Sequence, residues 1–519
     1  MSAAMSGANS TVSTVLGDGP LGLDAIAAAL DGPVTVTLHP VAFARTEAAH
    51  KALLKTVEQD AAVYGANTGF GRLALKRIPA EDLRTLQLNL VRSHAAGVGE
   101  PIPDGVVRLA MLLKLNSLAA GHSGVSKELL VQIAGCINED VLPVVPSQGS
   151  VGASGDLAPL AHMALVYVGR GEARFRGRVL PGEEALHAAG FAPLALGPKE
   201  GLDLINGTQL SVAQALAAVI NARRNLQSAV VVGALSTDAF QATDAYADSR
   251  LHALKPHPGQ VAVAAAQRRL LAGSAIRASH RDCDRVQDPY SFRCQPQVMG
   301  ACLDLVDNAE RTLLLEANAI TENPLVFGEP DEVVSGGNFH GQAVAFAADM
   351  LALAIAETGS LSERRIAALV TGELSSLPPF LMPDPGLNSG FMLAQVTAAA
   401  LASENKQLAT PASVDSIPTS ANQEDHVSMS AHASRRLARM SDNVAAIIAI
   451  EWLAAATGVD LLRPLNSSES LEQVHALLRA QVPKRTADRE FAPDIAAARE
   501  LVEAGVLTEF AGGLASRNQ

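Results

Sequence analysis

Aromatic side chains are scarce in these 519 residues, at 3% of the chain, with a single tryptophan at Trp452. The hydrophobic fraction of 48% must therefore be carried largely by alanine, leucine and valine. Small side chains let helices approach closely, so the interior is expected to consist of long helices in tight contact. Charged residues are also few, at 18%, and together with the apolar fraction that excludes a disordered chain. The balance is acidic, with a net charge of −13, which argues against nucleic acid or an anionic membrane as partner. Four cysteines, Cys136, Cys283, Cys294 and Cys302, form no Cys-x-x-Cys pair and are too sparse for a disulfide framework. A cytoplasmic location fits that usage.

Targeting and membrane signals are wanting too. Residues 1–18 are rich in Ser, Ala, Gly and Thr, with no basic stretch followed by an apolar one, and read as a flexible tail. The most apolar runs, 343–355 and 444–457, fall short of a bilayer span and carry Asp349 and Glu451. They read as buried helix.

The chain divides by character into a mixed N-terminal domain over 19–200 and a long-helix domain over 201–519. The first part shows a short alternating strand, Val34–Leu38, and helical patterns over 44–60, 81–94 and 106–120. A helix beginning near Leu157 and a basic, strand-like stretch over 169–181 follow. Beyond residue 201, the segments 209–235, 303–319, 341–369, 391–408 and 434–457 are Ala/Leu-rich and nearly free of internal Pro or Gly. The expected fold is mainly α, an elongated bundle of long helices with a smaller mixed N-terminal domain. Helices apolar on most faces need cover from other subunits, so a homo-oligomer is expected, with symmetry favouring a dimer of dimers.

The most informative segment runs Gly149-Ser150-Val151-Gly152-Ala153-Ser154-Gly155-Asp156-Leu157. It is no phosphate loop, because no Gly-Lys-Ser/Thr follows. It is no hydrolase nucleophile elbow either, since Asp156 stands where a glycine is required. Locally it reads as a loop whose Asp156 caps a helix, with Pro159 in the first turn.

Together with five further segments, spread from about residue 60 to 430, this one resembles the aromatic amino acid ammonia-lyase family. The resemblance implies a fumarase/aspartase-like helical architecture, and it implies that Ala153, Ser154 and Gly155 cyclise into a methylidene-imidazolone (MIO), an electrophile that serves as the cofactor. No metal or diffusible cofactor is implied. The chemistry suits the residues: Gly155 N must fold back onto the Ala153 carbonyl carbon, which asks for little side-chain bulk. Tyr64 opens the loop Tyr64-Gly65-Ala66-Asn67-Thr68-Gly69-Phe70-Gly71, and by resemblance it takes the substrate's β-proton beneath a mobile lid. Asn206, in Leu204-Ile205-Asn206-Gly207-Thr208, is placed by resemblance near the electrophile and the substrate carboxylate. In Gln287-Asp288-Pro289-Tyr290-Ser291-Phe292-Arg293, Asp288 and Pro289 read as helix cap and first residue, and Pro296 limits the turn. Spacings of three put Gln287, Tyr290 and Arg293 roughly on one side. The resemblance gives Arg293 a two-pronged grip on a carboxylate and sets Tyr290 and Gln287 beside the electrophile. Phe339, in Ser335-Gly336-Gly337-Asn338-Phe339-His340, is implied to pack near it.

Two positions bear on the substrate. Ser93-His94 and Glu424 stand where family members acting on phenylalanine carry apolar or uncharged groups. Imidazole is polar and protonatable, so burying it demands hydrogen-bond partners, which His94 and Glu424 can supply. The resemblance therefore implies L-histidine as substrate, trans-urocanate and ammonia as products, and a homotetramer with shared active sites.

Overall fold

Alanine and leucine are strong helix formers, and long stretches of the second half lack the residues that interrupt helices. In the computed structural model, which describes residues 12–59, 61–281, 285–328 and 330–516, nineteen α-helices and nine short strands are found. Four helices form the central bundle: Gln209–Ala239, Gln295–Ala317, Gln342–Val370 and Ser430–Leu461. The Met392–Leu408 helix packs against the last two. One apolar core runs from Leu16 to Leu514, and Trp452 is fully buried within it.

Each long helix expected from the sequence is present, usually extended at its ends. The Ser430–Leu461 helix begins four residues before the expected 434 because Ser430 and Ala433 bury one face of a turn whose other face is polar. The apolar runs 343–355 and 444–457 lie inside longer helices, so their shortness does not extend to the helices that carry them. The Gln342–Val370 and Ser430–Leu461 helices are long and apolar enough to cross a membrane, yet 67% and 83% of their most apolar windows are buried inside the protein. They are core helices.

The tail reading is corrected at its end. Val12–Leu16 forms a strand that pairs in parallel with Val34–Leu38, Val12 opposite Val34 and Leu16 opposite Leu38. Valine and threonine in Val-Ser-Thr-Val-Leu favour the pleated conformation. Residues 1–11 lie outside the described residues. The basic stretch forms an antiparallel hairpin, Glu172–Phe175 with Arg178–Pro181.

Two capping assignments are also corrected. Asp156 precedes the Leu157–Tyr167 helix but makes no side-chain cap to it. Its carboxylate instead accepts from Ser211 N (2.7 Å) and Ser211 Oγ (2.6 Å) in the first turn of the Gln209–Ala239 helix. The unsatisfied amides of the longer helix compete better for the charge. Asp288 likewise accepts from Thr243 N (2.7 Å) and Arg285 rather than capping Tyr290–Arg293, whose N-cap position is Pro289. Pro296 opens the Gln295–Ala317 helix instead of limiting the turn before it, as its missing amide hydrogen permits.

A buried ion pair ties three bundle helices together. Arg365 donates to Glu451 through Nε (2.5 Å) and Nη2 (2.8 Å), and Ser236 Oγ donates to the same carboxylate (2.7 Å). Both charged side chains are fully buried. Removing one partner strands a charge in an apolar interior. Glu451→Leu is expected to destabilise the fold by roughly 3–5 kcal/mol, seen as a lowered denaturation midpoint, and Arg365→Met added to it should recover most of that loss.

Candidate active site

The segment 151–155 is bent where only glycine tolerates the backbone. Gly152 and Gly155 have φ of +68° and +73°. A Cβ on Gly155 would lie 2.1 Å from Gly207 O, and one on Gly152 would lie 2.3 Å from the hydroxyls of Ser428 and Ser430. The two chain segments therefore touch backbone to backbone, with Asp156 N donating to Gly207 O at 2.7 Å. On the other side, Met429 N donates to Val151 O (2.8 Å) and Ser428 Oγ to Gly152 O (3.0 Å). Ser154 O faces two donors, Asn206 Nδ2 at 2.9 Å and Gly207 N at 3.4 Å. Asp156, behind the loop, is fully buried, and burial raises its carboxyl against the lowering effect of the Ser211 and Ser150 hydrogen bonds.

Ala153 and Ser154 form part of the wall of a cavity of about 1020 Å³, at the upper end of the roughly 300–1000 Å³ usual for small-molecule sites. Tyr64, His94, Asn206, Phe339 and Glu424 line it as well. Six separate stretches of sequence thus meet here. The Tyr64 hydroxyl accepts from Gly71 N at 3.0 Å, and its ring meets Phe70 edge-on. Burial raises the phenol above its ordinary value, the Gly71 amide opposes this, and the Glu424 charge adds to it. Glu424 accepts from Ser154 Oγ (3.0 Å) through one oxygen and from Thr419 Oγ1 (2.7 Å) through the other.

His94 ends the Leu83–His94 helix. Its Nδ1 lies 2.9 Å from Leu90 O, an obligate acceptor, so Nδ1 carries the hydrogen and a neutral ring keeps its lone pair on Nε2. Burial lowers the ring's pKa, partly offset by the Leu90 carbonyl and the Glu424 charge. Neutral His94 is thus a hydrogen-bond acceptor. Sequence reasoning missed two neighbours. Asn89 also lines the cavity, one helical turn before Ser93, and that spacing would have revealed it. Thr419 left no pattern; it reaches Glu424 through a kinked turn in which Ser420, Ala421 and Asn422 all have positive φ.

Gln287, Tyr290 and Arg293 do come together, but none of them lines the cavity. Arg293 Nη2 donates to Gln287 Oε1 (2.9 Å) and its guanidinium lies 4.4 Å from the Tyr290 ring centre. Tyr290 is 70% exposed. Next to this trio, Phe292 stacks on Phe240 at 4.3 Å, just past the C-terminal end of the Gln209–Ala239 helix. Asn206 lies just before the other end of that helix. Its 31 residues span about 46 Å, so within one chain the trio is far from Ser154. Within one chain, therefore, Tyr290 and Gln287 do not stand beside Ser154.

Among known families, the profile described as "Aromatic amino acid lyase" matches residues 21–480. The chain belongs to this family. A histidine ammonia-lyase of Aromatoleum aromaticum is 59% identical over 442 residues, covering 85% of this chain and 84% of that protein. The crystal structure of histidine ammonia-lyase from Trypanosoma cruzi superposes with a TM-score of 0.90 at 40% identity, covering 98% of this chain and 96% of that one. A tyrosine aminomutase from Streptomyces globisporus gives a TM-score of 0.90 at 34% identity, covering 98% and 99%.

Dependence on a methylidene-imidazolone is general to aromatic amino acid lyases, and the residues here fit that group. Glycines stand where a Cβ would collide, and donors already face Ser154 O. Gly155→Ala places a Cβ against Gly207 O in a backbone region costing about 1–3 kcal/mol. Intact-mass measurement is expected to find that variant at its full encoded mass, whereas the unaltered chain should weigh less by two waters, about 36 Da.

Proposed function

We propose that the chain removes the amine of L-histidine to give trans-urocanate and ammonia, the first step of histidine breakdown, in the cytoplasm. The observation carrying this reading is the shared cavity in which His94 and Glu424 accompany Ser154. The 59% identity to a histidine ammonia-lyase supports it. When formed from Ala153-Ser154-Gly155, the methylidene-imidazolone supplies an electron-poor carbon that draws electrons from the substrate's amine.

Other parts of the chain bind, orient and move protons. His94 Nε2 and the Glu424 carboxylate are both acceptors, so an imidazole ring satisfies both only by presenting two N–H groups. That selects the cationic ring, which in turn acidifies the β-carbon beside it. Glu424 loses its Ser154 hydroxyl partner once that oxygen departs as water, which frees one carboxylate oxygen for the ligand. A phenyl ring would leave both protein groups unpaired, and that cost discriminates against phenylalanine. Phe339 lends apolar wall. Asn206 Nδ2 and Gly207 N steady the Ser154 carbonyl oxygen.

Tyr64 takes the β-proton. Since burial raises its phenol, the phenolate needs alkaline pH or a nearby cation, and the bound imidazolium supplies positive charge. Arg293 grips the substrate carboxylate, with Gln287 and Tyr290 beside it. The 31-residue helix between the two groups supports a trio supplied by a second copy, with each site shared between subunits of a homotetramer. Apolar side chains left outward, such as Phe346 at 51% and Leu393 at 61% exposure, are available for that assembly.

Two measurements test the reading. Urocanate absorbance should rise when L-histidine is added, and Ser154→Ala should abolish the rise while the protein stays folded; unchanged turnover in that variant would refute the electrophile. Ser154→Ala and Arg293→Ala chains, each inactive alone, should recover activity when co-expressed, because random pairing leaves roughly a quarter of the shared sites intact. No recovery would mean that each chain builds its own site.

A further inference from the structure

Lys114 lies inside the Asp104–Ala119 helix with its side chain fully buried. A lysine there is expensive, because its ammonium gives up water for an apolar interior. Its two described hydrogen bonds go to main-chain carbonyls, Asp203 O at 2.9 Å and Asn206 O at 2.6 Å. Burial pushes the ammonium down to about 8, while the charges of Glu322, Asp203 and Asp156 help to keep it protonated and that of Lys199 opposes them.

The second bond is the informative one. Asn206 C=O and Gly207 N–H belong to the same peptide unit. That unit accepts from the ammonium at one end and donates to Ser154 O, at 3.4 Å, at the other. Asn206 itself adds its side-chain donor to the same oxygen at 2.9 Å. A peptide whose oxygen faces a cation has a more polar N–H, and hydrogen bonds in such a chain strengthen one another. The Ser154 carbonyl oxygen is thereby linked through one peptide to a fixed positive charge in a region closed to water.

We propose that Lys114 is a positioning residue for the reaction: it orients and polarises the 206–207 peptide toward the Ser154 carbonyl oxygen, the atom that gathers electron density when an amine is taken up beside it. The proposal rests on the ammonia-lyase reading above. Capping the Glu200–Ile205 helix, the rival role for this ammonium, predicts a loss of stability without a selective effect on turnover.

The test compares the unaltered protein with Lys114→Met and Lys114→Arg by intact mass, thermal midpoint, and kcat and KM for urocanate formation from L-histidine. Lys114→Met is expected to retain its fold and a KM within about threefold, while kcat falls roughly 10- to 100-fold, as for loss of a donor facing a developing oxyanion. Its intact mass separates two routes to that fall: a full encoded mass means that the ring did not close, and a deficit of two waters means that the closed ring works slowly. The deficit of two waters supports the proposal; the full encoded mass assigns Lys114 to ring closure instead and overturns it. Lys114→Arg, which keeps the charge, is expected to recover part of kcat. Unchanged kcat in Lys114→Met overturns the proposal, as does a lower thermal midpoint with kcat intact. If Lys114→Met does not fold, Lys114→Gln, which keeps one donor without the charge, is read in the same way; failure of both to fold assigns the ammonium to the core and overturns it too. Absence of urocanate from the unaltered protein would instead refute the ammonia-lyase reading itself.

Discussion

The backbone contact between Gly155 and Gly207 is the constraint on which the site depends. With Gly207 O held by Asp156 N at 2.7 Å, neither segment can retreat without opening the loop. Around this contact the fold arranges its other supports: Asp156 against the start of the Gln209–Ala239 helix, and Ser428 and Met429 against Val151 and Gly152. The bent conformation is therefore imposed by three other parts of the chain at once. A strained backbone persists only under such over-determination.

The same long helix that braces the loop also sets the scale of the molecule. Its first turn receives Asp156, and its far end carries Phe240 against Phe292. One element thus separates two groups of chemically apt side chains by most of the bundle's length. The cavity holds His94, Glu424 and the Tyr64 phenol, while the remote trio has the Arg293 guanidinium. Arg293 is occupied meanwhile by Gln287 and the Tyr290 ring, which keeps the cation ordered.

Much of this was legible in the sequence, for physical reasons that differ by residue. Long Ala/Leu runs announce helices because propensity and periodicity agree over many residues, and all five such runs are helical. The loop motifs pointed to a common site through their resemblance to the family; taken singly, Ala153-Ser154-Gly155 and Asn206-Gly207 read as an ordinary loop and turn. Helix ends were less legible. The first turn of Ser430–Leu461 is polar on one face, and Asp156 and Asp288 bond to distant amides that no local pattern reveals. The strand at Val12–Leu16 was lost in a Ser/Ala/Gly-rich context, and Val-Ser-Thr-Val-Leu shows no apolar–polar alternation to mark it. Thr419 was invisible because its place depends on a kinked turn, and the remoteness of Arg293 from Ser154 follows from helix length and packing that motifs do not encode.

The supports of the 151–155 loop are scattered along the chain, at Asn206 and Gly207, at Gly341, and at Ser428 to Ser430. A ribosome delivers these pieces in order, so the loop has no complete mould until the last of them has emerged. A product truncated before Ser428 therefore lacks part of that mould. The bent shape of 151–155 is thus denied its last supports in any chain not yet synthesised past Ser430, a form of quality control that needs no second protein.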